Sequence, residues 1–190
     1  MRIEDIQDYP SLQQLGRSLW HEGSARGAAA FVGAGLSKNA ERSPDTIAPP
    51  LWQEMMAELA NRLYPDAVEK APTNPLRLAE EYRIYFGRAS LDEYIRIRFP
   101  DKSWLPGPLH RKLLDLPWAD VLTTNWDTLL ERAAESQTSR SYNTVCSVAD
   151  LAHAPAPRIV KLHGTLGVTQ HFTFAEEDYR QYPVGTDRSS

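Results

Sequence analysis

Cysteine is almost absent from this chain of 190 residues: Cys146 stands alone. One cysteine excludes an internal disulfide and any multi-cysteine zinc site. A cytoplasmic, reducing setting is the matching expectation. No run of 18 apolar residues occurs, so no helical membrane span is expected. The opening residues Met1-Arg2-Ile3-Glu4-Asp5 are acidic and lack an apolar core, unlike a signal peptide. Basic excess is missing too. The formal net charge is -4, which gives no electrostatic footprint for nucleic acid. There is no internal repeat and no low-complexity tract.

The length fits one domain with a small insertion, and a chain this size buries roughly 70% of its unfolded surface without staples. Leu12, Leu15 and Leu19 mark a first helix over residues 11–21. Ala28-Ala29-Ala30-Phe31-Val32 is short, apolar and followed by glycine, and reads as a buried parallel strand. A helix opens near Ser37, and the three prolines in residues 42–50 make a loop. Leu51, Met55, Met56, Leu59 and Leu63 repeat at helical spacing. Further helical patterns cover residues 75–86 and 91–99, so residues 51–115 read as an inserted helical layer. Strand signals return at residues 120–123, 142–145 and 158–162, with Phe172-Thr173-Phe174 as a last short strand. Helices are expected over residues 126–134 and 175–182. Strands alternating with helices predict an α/β domain with a Rossmann-like parallel sheet and helices on both faces.

Three motifs follow the strand signals. Gly33-Ala34-Gly35-Leu36-Ser37 would let backbone approach a phosphate, with the Ser37 hydroxyl at the same mouth. The third glycine of a dinucleotide fingerprint is missing, since Asn39 or Ala40 stands where it would fall. The same residues also fit a plain strand–helix turn. In Thr123-Thr124-Asn125-Trp126-Asp127, the Asn125 amide offers donor and acceptor to a ribose diol or a water. Asp127 would fix the loop, cap the helix or accept from a ribose hydroxyl. Capping of that helix by Asn125 or Thr124 is the simpler alternative, and Trp126 reads as packing. His163, in Lys161-Leu162-His163-Gly164, is the candidate general base; a satisfied core histidine is the alternative. Lys161 would share the side of His163, or be solvated. His21, His110, His153 and His171 fit no motif and read as surface or structural.

In order and spacing, these three motifs resemble those of the sirtuin-like family. Pro50-Leu51-Trp52 and Glu176-Glu177-Asp178-Tyr179 resemble neighbouring family segments. The lack of a four-cysteine zinc module and the Thr-Thr-Asn-Trp-Asp motif resemble the bacterial anti-phage defence type. That resemblance implies NAD as substrate and no metal. NAD would contact Gly33, Ala34, Gly35, Ser37, Thr124, Asn125, Asp127 and His163, with Asn125 and His163 catalytic. The implied reaction is hydrolysis of NAD to nicotinamide and ADP-ribose, or cyclisation to nicotinamide and cyclic ADP-ribose. A non-catalytic NAD-binding or assembly module and an NAD-dependent protein deacylase are the alternatives. The resemblance also implies a protein partner, a fused sensor module or a homo-oligomer. Family members continue with further strands past the Glu-Glu-Asp-Tyr segment. Residues 1–190 therefore read as a single, C-terminally incomplete domain with an unpaired sheet edge.

Overall fold

Four short strands pair into one parallel sheet. The computed structural model describes residues 5–20, 27–136 and 140–181. The strands are β1 (Ala29–Val32), β2 (Asp120–Thr123), β3 (Asn143–Val145) and β4 (Arg158–Lys161), in the order β1-β2-β4-β3. The helices are α1 (Tyr9–Leu19), α2 (Ala34–Ser37), α3 (Trp52–Leu63), α4 (Pro75–Phe86), α5 (Arg88–Arg98), α6 (Pro108–Asp115), α7 (Leu129–Ser136), α8 (Val148–His153) and α9 (Glu176–Arg180). The result is the Rossmann-like α/β sheet flanked by helices that the alternating pattern implies. His21, Tyr182 and the polar segment from Val184 to Ser190 lie outside the described residues.

Register is what matters for the site. Val32 pairs with Thr123, and Thr123 pairs with Lys161. The three motif segments therefore leave the sheet side by side, at the carboxyl ends of neighbouring strands. Ligands of open α/β sheets bind at that edge.

Two apolar clusters hold the architecture. Ala30, Val121 and Ile159 lie in register on one sheet face and pack against Leu19, Leu114, Leu130 and Ala133. The second cluster fills the helical layer, with Met55, Leu59, Leu78, Tyr82, Leu91 and Ile95 around Trp104 and Trp126. Local signals start these helices. The Asn74 side chain accepts from the N–H groups of Leu76 and Arg77, and Pro75 opens α4. Glu54, in the first turn of α3, reaches back to the N–H of Leu51, the residue that caps the helix, at 2.6 Å.

Several expectations need correcting. β1 is buried on one face only: Ala30 packs into an apolar cluster, while Phe31, on the opposite face, belongs to neither cluster and is 66% exposed. α1 runs over Tyr9–Leu19 with only Leu19 buried, and Leu12 and Leu15 are exposed. Residues 172–174 form no strand. Phe172 and Phe174 are buried against Trp126, and the segment is tied to the sheet end through Thr173 N–H donating to His163 O at 3.1 Å. The alternation there reflects aromatic packing instead of a hydrogen-bonded ladder. The helix expected over residues 126–134 begins three residues later, at Leu129. Residues 126–128 are held outside it by tertiary bonds, including Thr128 N–H to Asp101 Oδ1 at 2.8 Å.

Candidate active site

The three motifs meet in one cleft of about 320 Å³ at the carboxyl edge of the sheet. Ala34, Ser37, Thr124, Asn125, Asp127 and His163 all line it. Gly33 and Gly35 are not on its wall. Gly33 serves through its carbonyl, which accepts from Asn125 Nδ2 at 3.0 Å. Pro50, Trp52, Met55, Phe99, Trp126 and Tyr179 complete the lining and make it largely apolar and aromatic.

A buried polar network supports the cleft. Asn125 Nδ2 donates to Ser37 Oγ at 2.9 Å, and Ser37 Oγ donates to Asp127 Oδ2 at 2.6 Å. Asp127 Oδ1 accepts from Leu129 N–H at 3.2 Å, so Asp127 starts α7, not Asn125 or Thr124. Thr123 Oγ1 fixes the turn by accepting from Asn125 N–H at 3.1 Å. Lys161 is not solvated: it is 4% exposed, donates to the backbone carbonyl of Asp127 and pairs with Glu131 Oε1 at 3.0 Å. The register explains this. Lys161 shares a sheet face with Ile159, and that face is covered by α7, which carries Glu131. Burial pushes the Glu131 carboxyl above its usual range, against the pull of Lys161. Sequence reading missed Glu131. No motif marks it; its role comes from its place in the first turn of α7, which covers the sheet face carrying Lys161.

His163 is fixed by its backbone. Its carbonyl accepts from Trp126 Nε1 and from Thr173 N–H, each at 3.1 Å. Its ring meets the Tyr179 ring edge-on, with centroids 5.2 Å apart. Burial lowers the His163 pKa below the ordinary histidine value. The imidazole is therefore neutral near pH 7 and able to accept a proton. Gly164 does more than leave room. It takes φ +91°, and a Cβ there would lie 2.8 Å from the Thr169 side chain, so glycine is required.

The first motif differs. Neither Gly33 nor Gly35 has positive φ, and a Cβ added to either meets no atom within 4 Å. The protein's own packing does not demand glycine at either position. α2 is only four residues long, too short for a useful helix dipole. Among the other histidines, His110 is buried with Nδ1 accepting from Gly107 N–H at 3.1 Å, a structural role. His171 sits at the surface against Asp92, and His153 is exposed at the end of α8.

A Rossmann-like α/β domain with an aromatic cleft at its carboxyl edge, holding Ser, Asn, Asp and a neutral His, is the class that fold and site define. Comparison with known proteins narrows it. Residues 119–189 match the SIR2-like domain family, a stretch that includes the second and third motifs. Defense-associated sirtuin 2 of Bacillus subtilis is 26% identical over 159 residues, covering 80% of this chain and 15% of that relative. The chain thus spans a small part of that relative's length. Both matches are to sirtuin-like proteins, one of them named as defence-associated. Among the described residues, no helix is long and apolar enough to cross a membrane.

Proposed function

We propose that this domain binds NAD in the cleft and hydrolyses the bond between nicotinamide and ribose. The observation that carries this reading is the convergence of Ser37, Asn125, Asp127 and His163, from three neighbouring strand ends, on one aromatic-lined cleft. The open space over Gly33 and Gly35 supports it, because glycine there admits close backbone contact with a ligand phosphate. Trp52, Phe99 and Trp126 supply apolar walls of a kind that suits a pyridine ring.

The chemistry is simple in proton terms. Water attacks the anomeric carbon while the carbon–nitrogen bond breaks through an oxocarbenium-like state. The bonding electron pair returns to the pyridinium ring, which leaves as neutral nicotinamide. No general acid is needed, since the leaving group starts cationic. His163, neutral through burial, takes the proton of the water or of a ribose hydroxyl. Asn125 holds that hydroxyl or water. The same step with a ring nitrogen of NAD in place of water would give the cyclic product.

The name of the Bacillus subtilis relative points to defence. In that setting, NAD removal would be the effector step, in the cytoplasm, with a protein partner or fused sensor module supplying the trigger. The test is incubation of the purified protein with NAD and chromatographic identification of products. Nicotinamide with ADP-ribose supports hydrolysis. Release of an O-acyl-ADP-ribose from an acylated peptide would identify a deacylase instead. Binding without turnover would identify a non-catalytic module.

A further inference from the structure

The segment that follows the His163 turn is held from the helical layer. Arg88, the first residue of α5, reaches it with a planar fork of donors. Its Nε donates to both oxygens of Asp92 at 3.1 Å, its Nη2 to the Phe172 carbonyl and its Nη1 to Asp178 Oδ1. Asp92 is 2% exposed, and its Oδ1 accepts from Phe172 N–H at 3.4 Å. The Arg88–Asp92 pair thus grips Phe172 by both of its backbone groups. The next N–H along the chain, that of Thr173, donates to His163 O at 3.1 Å.

Asp178 carries the grip one step further. Its Oδ2 accepts from Phe174 N–H at 2.9 Å and from Ala175 N–H at 2.8 Å, which starts α9. α9 has five residues, too few to hold together as an isolated helix. Its orientation comes from these bonds and from Glu80 of α4, whose Oε2 accepts from Glu177 N–H at 3.3 Å. Tyr179 follows Asp178 directly, and its ring meets the His163 ring edge-on with centroids 5.2 Å apart. Two routes from Arg88 therefore end on His163. One reaches its backbone carbonyl, the other its ring.

We infer that Arg88 is a positioning residue for His163, acting through Phe172 and Asp178. The placement rests on these contacts alone; that His163 is the base whose placement counts for turnover rests on the proposed function. Lysine cannot stand in for arginine here. A rigid fork meets acceptors on Asp92, Phe172 and Asp178 at once, whereas an ammonium is a point charge on a flexible stem.

The first arm of the test needs no ligand. Ring signals of the histidine-labelled full chain are recorded by NMR, and His163 is assigned by its loss in His163→Ala. Tyr179→Leu removes the neighbouring aromatic ring and sets the direction in which the His163 signal moves when that contact is lost. Arg88→Lys moves the signal the same way. Arg98→Lys, at the other end of α5 and paired with Glu58 at 2.9 Å, leaves it in place. An unmoved His163 signal in Arg88→Lys overturns the inference, even where the variant is less stable. If Arg88→Lys fails to fold, Asp178→Asn takes its place. The amide oxygen still accepts from Phe174 and Ala175 N–H, while the anion facing Arg88 is gone. A moved signal there supports the inference and an unmoved one overturns it.

The second arm measures NAD turnover. Arg88→Lys lowers kcat at least about tenfold with KM within about twofold, because a displaced base slows the chemistry and leaves the binding groups in place. Unchanged kcat beside a moved signal overturns the link to turnover. No turnover by the unaltered protein overturns the proposed function, and the ring signal still decides whether Arg88 places His163.

Discussion

Ser37 Oγ donates to Asp127 Oδ2 at 2.6 Å, a buried bond between residues 90 positions apart. It ties the first motif to the second and has no access to solvent. Asp127→Ala removes the acceptor of both Ser37 and Leu129 N–H and leaves buried donors unpaired. That costs about 1–3 kcal/mol per orphaned group. Urea denaturation should show a lower midpoint for Asp127→Ala than for Asn125→Ala, whose side chain faces the cleft. Equal midpoints would contradict the placement of Asp127 within the fold.

The glycines of the first and third motifs should behave oppositely. Gly164→Ala places a Cβ at φ +91° and 2.8 Å from Thr169, a strain of about 1–3 kcal/mol that shows in thermal unfolding. Gly35→Ala lies in α2 with no atom within 4 Å of the new Cβ. Its stability should hold or rise by up to about 1 kcal/mol, while NAD affinity drops about tenfold. A Gly35→Ala protein that binds NAD normally would mean no ligand backs onto that turn.

Lys161 and Glu131 form a buried pair at 3.0 Å. Lys161→Met leaves a buried carboxyl without its cation, and Glu131→Leu leaves a buried ammonium without its anion. Each single change should cost about 3–5 kcal/mol, and the double change should cost less than the sum. Chemical denaturation of the three variants completes the cycle. Strict additivity would show that the two groups do not interact in solution.

Burial depresses the pKa of His163, and of His110 beneath the site. The unfolded chain binds protons that the folded chain refuses. Stability from these groups is therefore present above about pH 6.5 and is lost as pH falls below it. Under the proposed hydrolysis, with His163 as base, the acid limb of the NAD turnover profile should lie below about pH 6.5. An acid limb above pH 7 would assign the base role elsewhere.

The sequence carried the site more clearly than it carried the sheet. Each motif follows an apolar run and holds the residue types that ligand chemistry needs, so Ser37, Asn125, Asp127 and His163 were legible singly. Their contact was not, because it depends on the pairing of Val32, Thr123 and Lys161 across three strands. Lys161 reads as a surface residue from its type, and only the covering of its sheet face by α7 buries it. The alternation at Phe172 and Phe174 matches a strand, yet it arises from two rings packed on Trp126. Trp126 reads as packing, and it is buried while also closing one wall of the cleft. Residues 126–128 look helical by pattern, but side-chain bonds from Asp101 hold Thr128 outside α7.

NAD turnover by the full chain, run beside Asn125→Ala and His163→Ala, tests the central claim most directly. The account predicts release of nicotinamide by the unaltered protein and a loss of at least about 100-fold in each variant. It also predicts that His163→Ala still binds NAD. Turnover that persists in both variants would show that the chemistry, if it occurs on this protein, happens outside the cleft where the three motifs meet.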